Sequence, residues 1–318
     1  MDYEEVSIDE WEEIVLKSDN ASFFLSPSWA KILEKTWDYR TATRLYHLND
    51  KSILIPMMEM DRNGFKTLSS MPGNFEYGGL FSESEITSDD FKSIVNDILG
   101  GRNLILHINQ SSDLELSSQN AEEWKVKDEF NYTQILKLEG KEFEDIWKNY
   151  KQNTRGAVRK AEKSGVEIRE GTSLDDFRTF YDIYDKASQK WDMKTPKAPF
   201  KLFKNLYKFG SDHVKLNLAI KDDIVIAGHI DLWYSKTICP IYGTFLPEYG
   251  SYNPTSLLLN ELFKQACLEG YKSYNFGPSG SLENIRKFKE GFGAENVEIY
   301  RYKIYSNLGK ILNKIGII

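Results

Sequence analysis

Two segments of this 318-residue chain, LNDKSILIPMME (48–59) and IKDDIVIAGHID (220–231), align without gaps. Each reads as a strand, a tight turn carrying Asn or Asp, and a second strand, a pattern that specifies a hairpin. A second echo links Tyr77-Gly78-Gly79-Leu80-Phe81 to Tyr242-Gly243-Thr244-Phe245-Leu246. The order of helices and strands also matches in the two halves. A duplicated unit follows: a mixed α+β fold in two tandem domains, each a mostly antiparallel sheet flanked by helices. The length agrees, since a domain takes ~100–200 residues.

The first half reads as helices at 9–17 and 28–36, a hairpin at 43–48 and 53–60, and a Gly/Pro-rich loop at 69–80. A helix at 88–99 and strands at 104–108 and 133–138 complete it, with a polar loop between these strands. In the second half a long helix pattern runs over 142–164 and stops at Gly165. Helices at 173–190 and 198–209 lead to three strands, 214–220, 224–234 and 237–245. Helix 254–269, strand 273–276, helix 282–290 and strand 297–305 close the chain. The domain change is placed at residues 139/140.

Composition removes several function classes. The chain carries 41 Lys and Arg against 48 Asp and Glu, a net charge of −7, which argues against DNA and other broad nucleic-acid binding. The start is acidic and no apolar run approaches a membrane span, so neither a secretory leader nor a transmembrane helix is expected. Two cysteines, Cys239 and Cys267, fit a reducing cytoplasm and read as small buried apolar groups. The four histidines are scattered without metal-ligand spacing, so no metal is expected.

Candidate chemistry concentrates in the second half. Residues 148–163 hold six basic side chains against one acid. On a continuous helix Lys148, Lys151, Arg155 and Arg159 share a stripe, with Lys163 beside it. Arg155 and Arg159 are four residues apart, so together they suit a phosphate or pyrophosphate; the competing reading is a solvated face. In strand 224–234, alternation puts His229 and Asp231 on one face, as a general base with its orienter or as a structural couple. The loop with Gly277, Ser279 and Gly280 precedes a helix carrying Arg286, Lys287 and Lys289. It suits an anion or a developing oxyanion, or is a plain turn. The tail 306–318 spaces Leu308, Ile311, Leu312 and Ile315 helically with Lys310 and Lys314. It reads as docked on the first lobe or as a peripheral contact with a membrane surface.

These segments resemble, in order, those of the Fem-like branch of the GNAT acyltransferases, which includes the peptidoglycan-bridge aminoacyltransferases. SPSWAKILEK resembles the family's early Trp-bearing helix, and SSMPGNFEYGGLF its S-x-P…YGG segment. NTRGAVRKAEKSGVEI is similar to its basic helix, NPTSLL…YNFGPSG to its P-x-x-L-L…F-D-F-G-x-S stretch, and FKEGFGA to its terminal F-K…F-G. The resemblance implies two GNAT-like lobes, 1–139 and 140–302, with 303–318 returning to the first. It implies acyl or aminoacyl transfer to an amine or hydroxyl of a cell-envelope precursor, of peptidoglycan-bridge or exopolysaccharide type. The acceptor would be a sugar on a nucleotide or lipid diphosphate, the donor aminoacyl-tRNA or acyl-CoA, with no tightly bound cofactor. Phe288 and Lys289 match the family's Phe-Lys pair, with Lys289 at the oxyanion. Lys151, Arg155, Arg159, Tyr242, Gly277 and Ser279 join the substrate-binding candidates. Two features depart from the family: Asn275 stands where it carries Asp, and YGSYNPTSLL replaces the glycine loop of acetyl-CoA-binding members. Alternative readings are an acetyl-CoA-dependent sugar N-acetyltransferase and a non-catalytic module for phosphorylated sugars.

Overall fold

A computed structural model describes residues 3–19, 21–48, 50–62, 64–70, 72, 78–100, 103–110, 132–189 and 197–316. Tyr77 of the second echo, most of the 69–80 loop and the polar stretch after 110 lie outside these residues. The chain divides into two compact units, one of residues 1–18, 24–132 and 297–318, the other of 19–23 and 133–296.

In the first unit, hairpin strands Arg44–Leu48 and Lys51–Ile55 turn at Asp50, whose φ of 65° is the left-handed conformation Asn and Asp tolerate. The strand read over 53–60 breaks after Ile55, because Pro56 cannot donate to a ladder. It resumes as Met58–Arg62 in a second sheet of five strands. There Phe65–Ser70 and Asn103–Gln110 run parallel, joined through helix Ser88–Leu99, and Tyr300–Tyr305 pairs with the latter. Helix Asn307–Lys314 packs on the same strand. A methyl on Gly309 would stand 2.3 Å from the Leu104 carbonyl oxygen, which is why a glycine sits there. Leu308, Ile311 and Ile315 remain exposed.

His107 lies in the strand next to the sheet's edge strand, opposite Lys303 on one side and Ser69 on the other. Burial, helped by the Lys303 ammonium, lowers its pKa from 6.5 to about 4. The neutral ring is favoured in the folded state, so stability is complete above pH 6.5 and falls as the unfolded chain takes up a proton between pH 6.5 and 4. Urea denaturation should show a loss of about 2.5 kcal/mol between pH 7.5 and 4.5 that His107→Gln lacks. An equal fall in both proteins would contradict this.

The second unit holds a seven-stranded sheet. Its elements are β1 Tyr132–Lys137, α1 Phe143–Asn149, α2 Gln152–Lys163, β2 Glu167–Gly171, α3 Leu174–Ser188, α4 Phe200–Phe209 and β3 Val214–Lys221. They continue with β4 Ile224–Tyr234, β5 Thr237–Phe245, α5 Pro254–Leu268, β6 Ser273–Pro278, α6 Glu283–Gly291 and β7 Glu295–Glu298. Spatial order is β7-β1-β6-β5-β4-β3-β2; β5 and β6 run parallel, while β1–β6, β5–β4, β4–β3 and β3–β2 are antiparallel. Both units thus contain a hairpin and a parallel strand pair bridged by a helix. β1 belongs here because it pairs with β6 and neighbours β7, so the unit begins at residue 133 rather than 140. The strand read over 297–305 is two strands, β7 here and Tyr300–Tyr305 in the first unit.

One face of the sheet carries α2 and α5 over Val158, Ala161, Ala227, Leu257 and Leu258. On the other, α3 and α4 pack Phe180 and Phe203 onto β4 and β5. The helix read over 142–164 is interrupted. Tyr150 and Lys151 are extended, with ψ of 141° and 153°. Tyr150 is buried against Phe292 at 5.0 Å, and the Lys151 amide donates to the Gly291 carbonyl at 2.8 Å. Burying an aromatic ring there outweighs the two or three helical hydrogen bonds lost. Lys148 and Lys151 therefore do not continue the Arg155–Arg159 stripe.

Candidate active site at the diverging strands

β5 and β6 pair at only two positions, Thr237 with Ser273 and Ile238 with Tyr274, yet β5 runs on to Phe245. Beyond Ile238 the two strands diverge, and one edge of β5 loses its ladder partner.

His229 on β4 stands opposite Gly243 of this diverging length. A Cβ on Gly243 would lie 2.2 Å from the imidazole Cδ2 and 2.5 Å from Nε2, so the missing side chain is the space the ring occupies. His229 Nδ1 lies 2.8 Å from Asp231 Oδ2, and the Tyr274 hydroxyl donates to Asp231 Oδ1 at 2.9 Å. Asp231 and Tyr274 are fully buried. A bulge after Ile230 shifts the register so that Asp231 faces Pro240. Burial first, then the Asp231 charge, holds the Tyr274 phenol well above its ordinary pKa, so it stays a donor. With Nδ1–H given to Asp231, Nε2 carries the lone pair. Nε2 makes no hydrogen bond among the described residues. This is the geometry of a base held in one tautomer by a carboxylate. Burial raises the Cys239 thiol well above its usual range, which disfavours a thiolate nucleophile.

Next to the divergence, β6 bulges between Asn275 and Pro278, with Gly277 at φ 71°. The Asn275 side-chain oxygen accepts from the Gly277 amide at 3.0 Å and from the Thr133 hydroxyl at 2.6 Å. Asn275 therefore shapes the bulge. Lys289 is 6% exposed, and its ammonium donates to the carbonyls of Gly277 at 2.6 Å, Pro278 at 2.8 Å and Gln134 at 3.2 Å. Ser279 donates to the same Gln134 oxygen at 2.6 Å. These contacts clamp the Gly277–Ser279 loop, so in this state Lys289 positions backbone and has no donor left for an oxyanion. Phe288 is part-exposed and edge-on to Phe292 at 5.3 Å.

Tyr242 lies on the opposite face of the sheet from His229, stacked on Phe203 at 5.1 Å and edge-on to Tyr184 at 5.0 Å. It belongs to the α3/α4 core, and burial raises its pKa. The Arg155 guanidinium donates to the carbonyls of Lys148 and Tyr150, capping the end of α1. Arg159 lies over the Trp147 ring at 5.5 Å, and Lys151 Nζ sits 3.4 Å from Glu290. The two guanidinium groups thus have separate tasks and do not form a preset phosphate clamp.

Sequence reasoning missed three contributors. Tyr274 completes the Asp231 network. Gln134 joins Lys289 to Ser279. Thr255, in the first turn of α5, has a buried hydroxyl without a partner. That helix also has no side-chain cap. Among the described residues, no three His, Cys, Asp or Glu side chains are grouped to hold a metal, and no helix is long and apolar enough to cross a membrane.

Residues 148–295 match a family model described as an acetyltransferase (GNAT) domain. A comparison with curated proteins by sequence returns no match. The whole chain superposes on the crystal structure of FemX with a TM-score of 0.76, covering 100% of both chains at 12% identity. The C-terminal domain of a provisionally named lysylphosphatidylglycerol synthetase from Agrobacterium fabrum gives 0.60, covering 98% of each chain at 12% identity. A tandem GNAT protein from the clavulanic acid biosynthesis pathway also gives 0.60, covering 96% of this chain and 98% of its own at 8% identity. Two units of like build, one matching the acetyltransferase (GNAT) model over residues 148–295 and both spanned by these structures, give the chain the fold of a tandem GNAT protein.

Proposed function

We propose that the second unit transfers an acyl or aminoacyl group to an amine or hydroxyl of a cell-envelope saccharide or peptide precursor. The observation that carries this reading is His229: a buried imidazole held through Nδ1 by Asp231, which Tyr274 holds in turn, with Nε2 beside Gly243 in the diverging length of β5.

In this reading the acceptor nucleophile attacks the acyl carbonyl while Nε2 takes its proton. The C–N or C–O bond forms, and the carbonyl electron pair moves to oxygen. Backbone N–H groups on the unpaired β5 edge are the donors that receive the oxyanion. The intermediate collapses, the bond to the donor's sulfur or ribose oxygen breaks, and that leaving group takes the proton from His229. Asp231 keeps its hydrogen bond to Nδ1 and holds the ring. The uncapped start of α5, with Thr255 Oγ1, suits an anionic group of the donor, because the helix dipole favours negative charge there. The basic surface of α2 suits the diphosphate of a nucleotide- or lipid-linked sugar acceptor. Fold likeness to FemX and to the lysylphosphatidylglycerol synthetase domain supports an envelope acceptor and a donor such as aminoacyl-tRNA. The acetyltransferase family model supports acyl-CoA as the other donor.

The test is direct. Purified protein is incubated with acetyl-CoA or with mixed aminoacyl-tRNA, each with a UDP-linked muropeptide precursor, and products are weighed by mass spectrometry. One donor should yield an acceptor-dependent mass gain. Absence of product with both donors across amine- and hydroxyl-bearing precursors would reject the reading.

A further inference from the structure

Away from the diverging strands, α1, α2 and α5 enclose a surface hollow of about 240 Å³. Two aromatic rings line it, Phe143 and Trp147, together with four charged side chains and Asn260. One charge is already neutralised, since Lys264 Nζ pairs with Glu261 at 2.7 Å. The other three stand open. Arg159 rests over Trp147 at 5.5 Å, and among the described residues no carboxylate lies within ion-pair distance of it. Glu144 and Glu162 likewise have no cationic partner there.

Asn260 supplies an independent sign of a ligand. It is 1% exposed and lines the hollow; its Nδ2 donates to Glu261 at 3.1 Å, and its Oδ1 has no partner. A buried acceptor left without a donor is costly, of order 1–3 kcal/mol, and such groups are rare unless something else fills the gap. The hollow therefore offers one unpaired guanidinium, two unpaired carboxylates, one orphan acceptor and two ring faces. A plain anion would satisfy Arg159 and be repelled by the carboxylates; a plain cation would satisfy the acids and face Arg159.

We propose that this hollow binds a small zwitterion, an α-amino acid. Its carboxylate meets the Arg159 fork, its ammonium meets Glu144, Glu162 and Asn260 Oδ1, and its side chain lies on Trp147 and Phe143. The volume lies below the roughly 300–1,000 Å³ of drug-sized pockets, which agrees with a ligand of this size. None of these residues belongs to the His229 network; Arg159 also lies on the α2 surface offered above to a diphosphate, and competition by pyrophosphate separates the two uses.

Calorimetry and ligand-observed NMR on the full chain, with the twenty L-amino acids, test it. At least one should bind with a Kd below about 10 mM. Its deaminated acid and its decarboxylated amine should each bind at least ~tenfold more weakly. Arg159→Gln should weaken the amino acid ~tenfold and leave the amine unchanged, while Glu162→Gln should weaken the amine and leave the acid unchanged. Both positions are exposed, so the variants should keep the wild-type circular dichroism spectrum. Failure of all twenty to bind, equal binding of the single-charge analogues, or unchanged affinity in Arg159→Gln would overturn the proposal. So would displacement of the amino acid by pyrophosphate at equal or lower concentration.

Discussion

His229→Gln is expected to lower kcat for acyl transfer by ~100- to 10,000-fold, the range a positioned proton acceptor contributes. Glutamine can keep a hydrogen bond to Asp231 but has no basic nitrogen. The fold should therefore survive and the proton transfer should not. Because the reading gives the donor's anionic group to the start of α5 and not to the ring, the KM for the donor should stay within about twofold. Gly243→Ala is a companion variant. Its methyl would overlap Cδ2 and Nε2 of the same ring, so the imidazole must move or the strands must part. A loss of rate smaller than that of His229→Gln, with the pH–rate profile displaced, is the expected result. A His229→Gln enzyme with wild-type kcat would leave the ring as a structural partner of Asp231 and nothing more.

Lys289→Met carries the largest expected effect on stability, a loss of about 2–4 kcal/mol. The methionine matches the lysine stem but donates nothing. The carbonyls of Gly277, Pro278 and Gln134 would then lose a charged donor inside the protein, and Ser279 would lose a fixed partner. Urea denaturation should show the drop, and hydrogen exchange should show faster amide exchange in the 277–282 loop. Transfer activity should fall through the loop's position, mostly as a raised KM. The opposite pattern, wild-type stability with kcat lost, would return Lys289 to the oxyanion role that the family resemblance assigns it.

Features set by local pattern were legible in the sequence. The strands 214–220, 224–234 and 237–245 were marked by alternation and turn residues, and each observed strand begins and ends within one residue of these bounds. His229 and Asp231 could be placed on one face because a strand repeats every two residues, and they are hydrogen bonded. What was hidden depends on distant partners. Nothing in WKNYKQ announces a helix break; the break exists because Tyr150 packs on Phe292 and Lys151 bonds to Gly291. Asp231 finds Tyr274 43 residues away, and Lys289 finds Gln134 155 residues away. Charge alone placed Arg155 and Arg159 together, whereas the carbonyls at the end of α1 and the Trp147 ring give them separate contacts. Tyr242 was misplaced for a related reason. Its Gly neighbour, not the tyrosine, faces His229, and the bulge that sets this register has no marker in the sequence.

The central claim is that a free Nε2 on His229 accepts the acceptor's proton at the edge of β5. Single-turnover transfer of a labelled acyl group, by wild type and His229→Gln at matched folded fraction and saturating donor, measures it most directly. Product formation slowed at least ~100-fold in the variant, with donor affinity unchanged, is the predicted result. Equal single-turnover rates in the two proteins would contradict it.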